Sequence, residues 1–197
     1  MKDKAIRDIL IAYLQTTNHE IRIYQEKSIG SSICDVMAVT DKLIGYEIKS
    51  DYDNYSRLGE QVKAYDRFFD ENHLVVSQSH SHSAEGKVPT HWGILCIRND
   101  SITVVRKAQK NRSVSRRNQL AILWKLELKN LLIKNNMPLY ARKDKGYISD
   151  MIAAEVESNL LGKQIAQGVL AILRILDKKF AACRGENPSA GGFNIAQ

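Results

Sequence analysis

The chain has 197 residues, with 29 Lys+Arg against 22 Asp+Glu, a formal net charge of +7 and 44% apolar residues. This composition excludes a collagen-like, low-complexity or largely disordered protein, because it provides enough apolar side chains to offset the entropy of an ordered chain. No apolar run approaches the roughly 20 residues of a membrane-spanning helix, and the first residues lack the uninterrupted apolar core of a signal peptide. We therefore expect a cytoplasmic protein of one domain, or of a small domain with an appendage.

Charge is distributed unevenly along the chain. Residues 1–100 contain 12 Lys+Arg and 15 Asp+Glu, whereas residues 101–197 contain 17 and 7. A basic half suits a polyanionic partner and an acidic half suits a cation, although a merely soluble basic surface is the alternative. The cysteines are scattered and form no CxxC pair, which predicts reduced thiols instead of a disulfide framework or a structural zinc site.

Helical and strand patterns alternate over the first 106 residues. Apolar residues at helical spacing predict helices over residues 3–15 and 56–70. Runs of β-branched and aromatic residues predict strands over 21–24, 33–40, 43–49, 73–77, 92–97 and 102–105. The polar stretch at 78–90 is predicted to be a surface loop. These elements indicate an α/β fold with a mixed β-sheet flanked by helices.

The pattern changes to basic and helical after Arg106. A basic loop at 107–117 precedes three predicted helices, over 118–134, 148–161 and 163–183. The Gly- and Pro-containing end of the chain is predicted to be a flexible tail. The predicted organisation is therefore an α/β core (1–106), a basic all-α C-terminal extension (107–183) and a tail (184–197).

The clearest chemical pattern lies on two adjacent predicted strands. Glu47 and Lys49 share one strand face, because side chains alternate along a strand. Antiparallel pairing with the preceding strand would bring Asp35 close to Glu47. Two carboxylates beside an ammonium suit a hard divalent ion such as Mg²⁺, which also accepts backbone carbonyls, waters and phosphate oxygens. Such an ion can polarise a phosphoryl oxygen and activate a water for phosphodiester hydrolysis.

The Glu-x-Lys tripeptide is not specific by itself. Glu85-Gly86-Lys87 and Glu127-Leu128-Lys129 have the same form, the first in a polar loop and the second in a predicted helix. Only Glu47-Ile48-Lys49 follows an Asp-bearing strand. The alternative interpretation of this trio is a solvated strand face with an ion pair that contributes little to stability.

The next helix adds Gln61 and Tyr65, which are four residues apart and share a face that can pack on the strands. Asp35, Glu47-x-Lys49 and Gln61-x-x-x-Tyr65 resemble, in order and spacing, the motifs of the PD-(D/E)XK or restriction-endonuclease-like superfamily, especially its RecB-type and Holliday-junction-resolvase-like branches. Further stretches of the sequence resemble a group of uncharacterised bacterial proteins that have this core and a helical C-terminal extension. These stretches are residues 45–51, 57–58, 61–65, 69–70, 75–76, 89–94 and 123–128.

The resemblance implies a restriction-endonuclease-like core that hydrolyses DNA phosphodiester bonds with Mg²⁺ or Mn²⁺. It makes Asp35, Glu47 and the backbone carbonyl of Ile48 the metal ligands. Lys49 would orient the water or balance charge, and Gln61 would position the water or the nucleic-acid backbone, with Tyr65 as a nucleic-acid contact beside it. An additional acidic ligand often comes from the first helix or strand, where Glu26 is preferred to Glu20. The superfamily's proline before the aspartate is absent, and Cys34 stands there.

A run of basic residues follows the predicted core. It suits sequence-independent contacts with phosphates, although a solvated linker explains it about as well, and it comprises Lys107, Lys110, Arg112, Arg116 and Arg117. We expect DNA as the partner, no membrane association, and a homodimer or protein partner bound through the C-terminal helices. The alternatives are a catalytically weak nucleic-acid-binding or protein-interaction module on the same fold, and a zinc or nickel site at His80-Ser81-His82.

Overall fold

The computed structural model describes the backbone of residues 1–184 and the side chains of residues 1–81 and 83–178. These residues form two compact units, one of residues 1–38 and 43–114 and one of residues 39–42 and 115–184. From residue 185 onward, the predicted tail lies outside the described residues. Over the part of the chain that is described, no helix has the length and apolar character to span a membrane.

Strands and helices alternate in the first unit, as the sequence predicts. The predicted mixed α/β class is confirmed. The polar stretch at 78–90 differs from the prediction, because it contains a 3₁₀ turn (Gln78–His80) and a short helix. The elements are α1 (Asp3–Thr17), β1 (Arg22–Ile29), β2 (Ser32–Val39), β3 (Leu43–Lys49), α2 (Leu58–Phe68), β4 (Glu71–Ser77), α3 (Ser81–Ala84), β5 (Gly93–Arg98) and β6 (Ser101–Arg106).

The six strands form one mixed sheet in the order β1-β2-β3-β4-β5-β6. Strands β3, β4 and β5 are parallel, and β6 runs antiparallel to β5. Only residues 30–31 connect β1 to β2, and only residues 40–42 connect β2 to β3. Because a parallel pair needs a crossover of about a dozen residues, these two neighbouring pairs are antiparallel. The predicted strand pair that carries Asp35 and Glu47 is therefore a hairpin.

The alternating side chains of β3 explain how this strand is covered on both faces. Ile44, Tyr46 and Ile48 belong to the apolar cluster that α1 covers, with Ile6, Leu10 and Leu14 among its members. On the opposite face, Gly45 lies against Phe69 so closely that an added Cβ would be 2.3 Å from its ring. Glu47 lies on this second face and contacts α2. All residues of β3 are consequently buried, including the charged ones.

Within the described residues, the second unit consists of four helices, α4 (Arg116–Leu120), α5 (Lys125–Lys134), α6 (Lys145–Glu155) and α7 (Ser158–Arg184). The single helix predicted over 118–134 is two helices, interrupted at residues 121–124. Trp124 precedes α5 and is 40% exposed. The apolar residues around it in the sequence predict a core position for Trp124, and this prediction is wrong, because the side chain is partly at the surface.

Helix α7 begins at Ser158, five residues before the predicted start. The Glu157 carboxylate accepts hydrogen bonds from the backbone N–H groups of Asn159 and Leu160, at 2.8 and 2.7 Å, and so caps the helix. Gly162 lies inside α7 instead of between two helices. The Arg116 guanidinium occupies the space that a side chain there would need, with Cζ 2.6 Å from an ideal Cβ.

Candidate active site

The β2–β3 hairpin brings Asp35 to the centre of β3. The Asp35 carboxylate accepts a 2.7 Å hydrogen bond through Oδ2 from the backbone N–H of Ile48, the residue after Glu47. The backbone N–H of Asp35 lies 3.3 Å from the Tyr65 hydroxyl, which accepts its hydrogen bond. The structure therefore places Asp35 and Glu47 side by side, in the arrangement that the strand pattern predicts.

Glu47, Lys49 and Gln61 form a closed hydrogen-bonded triangle. The Glu47 Oε1 atom accepts hydrogen bonds from Lys49 Nζ at 2.7 Å and from Gln61 Nε2 at 2.5 Å. Lys49 Nζ also donates to Gln61 Oε1 at 3.1 Å. Glu47 is 1% exposed and Lys49 is 7% exposed. The pair is thus a buried ion pair with its polar atoms satisfied, and not the solvated strand face of the alternative interpretation.

Tyr65 supports Glu47 from α2. Its hydroxyl donates to Glu47 Oε2 at 2.7 Å, so Gln61 and Tyr65, one helical turn apart, bind the two oxygens of one carboxylate. The ring is fully buried and packs between Phe69 and Trp92, with centroid separations of 5.2 and 5.4 Å. Tyr65, predicted as a nucleic-acid contact, therefore has a different place, because it offers no surface to a ligand and instead holds Glu47.

Burial and mutual repulsion dominate the electrostatics of the carboxylate pair. Burial raises the pKa of Asp35 to about 7, and the charge of Glu47 adds to this effect, while the hydrogen bond from Ile48 acts in the opposite direction. Burial likewise raises the pKa of the Cys34 thiol beside them well above its usual range. Cys34 is therefore an unreactive thiol, whereas Asp35 is poised between its two protonation states near neutral pH.

The donor set fits a divalent ion of the Mg²⁺ type. Two neighbouring carboxylates that repel each other gain from a shared cation, and Mg²⁺ is commonly held by one or two carboxylates with waters and substrate phosphates. Among the residues whose side chains are described, no group of three or more His, Cys, Asp and Glu could hold a metal ion. Asp35 and Glu47 would therefore need oxygens from the backbone, such as the predicted Ile48 carbonyl, from water or from substrate.

Glu26, the preferred additional ligand, is close to the pair but is engaged elsewhere. Its carboxylate Oε1 accepts a 2.7 Å hydrogen bond from Arg7, which also pairs with Asp3. Its backbone has a φ of 53° within β1, a left-handed conformation that is uncommon for a residue other than glycine. Glu20, the other candidate, is exposed in the turn before β1.

A cleft of about 690 Å³ opens beside Asp35 and Gln61. One wall is the β1–β2 hairpin and the other is the first turn of α2. Arg57 and Ile33 lie in these walls. The family resemblance includes residues 57–58 but gives Arg57 no role, and the sequence gives no signal for Ile33, because a strand isoleucine matches no motif. The lining residues are Glu26, Ser28, Gly30, Ser31, Ser32, Ile33, Asp35, Arg57, Glu60 and Gln61.

Asp66 also belongs to the site, although no sequence pattern indicates it. Its Oδ1 atom is bound by three side chains, Asn72 Nδ2 at 2.9 Å, His91 Nε2 at 2.9 Å and Trp92 Nε1 at 2.8 Å. The buried Asn111 donates to the backbone carbonyl of Asp66 at 2.6 Å. These bonds fix α2 on the sheet and so position Gln61 and Tyr65, which the same helix carries.

The predicted basic residues divide between the two units. Lys107, Lys110 and Arg112 follow β6 in the α/β unit, and all three are exposed. In the helical unit, Arg116 donates to the Ser158 carbonyl at 2.8 Å and to Gln119, and Arg117 is ion-paired with Asp150. Arg116 and Arg117 therefore have structural partners within their own unit.

The zinc or nickel alternative rests on His80 and His82, and the described histidines of this region have different surroundings. The His73 ring stacks on Tyr46 at 4.7 Å, the His80 ring packs edge-on against Tyr55 at 5.2 Å, and His91 binds Asp66. The side chain of His82 is not among those described. The three described rings thus pack against three different residues.

The chain is similar in sequence to a bacteriophage protein family. A family model described as "Bacteriophage P4 protein cII" matches residues 2–180. Protein cII of Enterobacteria phage P4 is 31% identical over 102 residues, which cover 50% of this chain and 39% of that protein. The match therefore spans about two-fifths of that relative's length. Among solved structures, the SPO1766 protein of unknown function from Silicibacter pomeroyi is 17% identical, with 58% of this chain and 77% of that chain covered and a TM-score of 0.46.

Proposed function

The chain belongs to the family of bacteriophage P4 protein cII, and we propose that it is a metal-dependent nuclease that hydrolyses DNA phosphodiester bonds on a restriction-endonuclease-like, PD-(D/E)XK fold. The order of α1, three antiparallel strands, α2 and a parallel β4 supports this fold. The strand positions of Asp35, Glu47 and Lys49 support the motif assignment.

The observation that carries the proposal is the buried triangle of Glu47, Lys49 and Gln61 next to Asp35. A buried ion pair is a poor source of stability, because desolvating two charges offsets most of their attraction. Placing a second carboxylate beside it, with a raised pKa, costs further stability. A group of charged residues that lowers the stability of the fold and opens on a cleft is typical of a functional site.

Each residue of the group has a role that its contacts support. Asp35 and Glu47, with the Ile48 carbonyl, would hold Mg²⁺ or Mn²⁺. When bound, such an ion supplies Lewis acidity toward a phosphoryl oxygen and lowers the pKa of a water. Lys49 places its ammonium where it can orient a water and offset the negative charge that develops on phosphate.

Gln61 and Tyr65 fix the Glu47 carboxylate, since each binds one of its oxygens. Hydrolysis forms a bond from a water oxygen to phosphorus, breaks one P–O ester bond, and moves a proton from the water toward the leaving oxygen. Glu47 is held rigidly throughout this reaction, which is how a preformed site contributes to rate.

The DNA would lie across the site and continue along the exposed basic residues after β6. Lys107, Lys110 and Arg112 suit phosphate contacts that carry no sequence information. The helical unit would provide a homodimer contact or a protein partner.

A second candidate function is a protein-interaction module with little turnover. It is favoured by the large apolar side chains that the helical unit exposes, which include Trp124, Leu126 and Ile133. Exposed apolar surface of this kind is typical of protein interfaces.

A cleavage assay distinguishes the two functions. We expect the wild type with Mg²⁺ or Mn²⁺ to cut members of a panel of single-stranded, duplex and branched DNA, and EDTA to stop the reaction. Glu47→Gln should cleave DNA at least about 100-fold more slowly than the wild type, which is the effect expected for the loss of an electrostatic catalytic group. The matched control is Glu85→Gln, which makes the same change in the exposed Glu-x-Lys tripeptide at residues 85–87. This variant should cleave DNA at the wild-type rate. Equal rates in both variants would contradict the nuclease proposal.

A further inference from the structure

We infer that the cleft between the β1–β2 hairpin and α2 binds a single-stranded segment of DNA, with Arg57 holding a phosphate and Ile33 contacting a sugar or base. This inference rests on the proposed nuclease function and deepens it, because it identifies the form of DNA that reaches the site.

The cleft leads directly to the proposed catalytic residues. Asp35 and Gln61 line it, so a strand lying in the cleft would bring a phosphodiester to the carboxylate pair. Its volume of about 690 Å³ falls in the range of pockets for small organic ligands, about 300–1,000 Å³. An unpaired strand can turn its bases and phosphates into such a cleft, whereas a duplex keeps its bases paired and stacked.

Arg57 is the cation that an anionic strand would meet in the cleft. Its side chain is exposed and makes no hydrogen bond or ion pair with any side chain of the described residues, whereas Glu26 in the same cleft is paired with Arg7. A guanidinium without a protein partner is available for phosphate, which it binds with paired N–H donors.

Ile33 gives the opposite wall an apolar surface. It lies two residues before Asp35 on β2 and is 56% exposed. Ser28, Ser31 and Ser32 line the same cleft. Apolar contact combined with hydroxyl donors suits the sugars and base faces of an unpaired strand, which need no specific base sequence.

Fluorescence anisotropy of a labelled oligothymidylate of about 12 nucleotides tests the inference in EDTA, where no variant cleaves. We expect Arg57→Gln to weaken single-strand binding about tenfold and to reduce the salt slope by about 0.7, the value for one phosphate contact on a single strand. Ile33→Ser should weaken binding about threefold without changing the salt slope. Binding of a blunt duplex should change in neither variant.

The matched control is Arg67→Gln, an exposed arginine of α2 that does not line the cleft; it should bind like the wild type. Equal effects of Arg57→Gln and Arg67→Gln, an equal loss of duplex binding, or no binding of oligothymidylate by the wild type would overturn the inference. Failure of the nuclease proposal is separate, because it is read from cleavage by Glu47→Gln. If the wild type cleaves DNA but Arg57→Gln binds the oligonucleotide normally, only the assignment of the cleft is refuted. If the wild type binds the oligonucleotide as expected but does not cleave DNA, only the nuclease proposal is refuted.

Discussion

Replacing Asp35 by Asn should stabilise the metal-free protein above neutral pH. The Asp35 carboxyl has a pKa of about 7 in the folded chain and an ordinary value of 3.8. The folded state therefore binds the proton more tightly than the unfolded state, and stability falls as the pH rises from about 4 to 7. A pKa difference of about three corresponds to about 4 kcal/mol. Asn removes the charge and keeps an oxygen for the Ile48 N–H.

The net gain should be smaller than this upper value, because a neutral amide accepts a weaker hydrogen bond than a carboxylate, by about 1 kcal/mol. We expect Asp35→Asn to unfold in urea with a free energy about 1–3 kcal/mol above that of the wild type at pH 8 in EDTA. The difference should shrink as the pH falls toward 4 and close near pH 3, where the carboxyl is mostly neutral in both states.

Asp53→Asn is a control of opposite sign. Although burial acts in the other direction, hydrogen bonds from Ser50 lower the pKa of Asp53. Its contribution to stability is present above the unfolded pKa and is lost as the pH falls, so Asp53→Asn should be less stable than the wild type at pH 8. If Asp35→Asn is no more stable than the wild type at pH 8, or if its gain persists at pH 3, burial and the charge of Glu47 do not raise the pKa of Asp35.

Three further substitutions test the packing that positions the site, each measured by urea unfolding. Gly45→Ala should lower the free energy of unfolding by at least about 1–3 kcal/mol, because its Cβ would overlap the Phe69 ring. Its control, Gly59→Ala, has open space around it and should be neutral or stabilising by up to about 1 kcal/mol. Equal effects of the two substitutions would refute the overlap. Asp66→Ala should cost about 3–5 kcal/mol, since the buried Trp92 N–H and two other donors lose their acceptor; a loss below about 1 kcal/mol would contradict this. Glu157→Ala should cost about 1 kcal/mol through the lost cap of α7, and an unchanged free energy would show that the cap contributes nothing.

Local patterns account for the parts of the site that the sequence predicts. The period of two along β3 places Glu47 and Lys49 on one face, and the spacing of four along α2 places Gln61 and Tyr65 on one face. Both are consequences of backbone geometry alone. The hairpin connection is short enough to determine that Asp35 returns beside Glu47. These three facts account for the pairing within the hairpin and within α2, whereas the docking of α2 on the sheet depends on the bonds to Asp66.

The features that the sequence does not reveal depend on contacts between distant residues. Gly162 resembles a helix break, but Arg116 packs against it and the helix continues. Trp124 has apolar neighbours in sequence, yet it is exposed where the chain enters α5. The burial of Tyr65 depends on Phe69 and Trp92, whose positions only the folded sheet defines. Arg57 belongs to the cleft because of the angle between a hairpin and a helix, which no local pattern records.

The central claim is that Asp35 and Glu47 together hold a divalent ion for phosphodiester hydrolysis. Calorimetric titration of Mn²⁺ tests it most directly, using the wild type, the isosteric double variant Asp35→Asn/Glu47→Gln, and Glu85→Gln as control. We predict binding by the wild type and by Glu85→Gln, and none by the double variant. Equal binding by all three proteins, or no binding by the wild type, would contradict the claim.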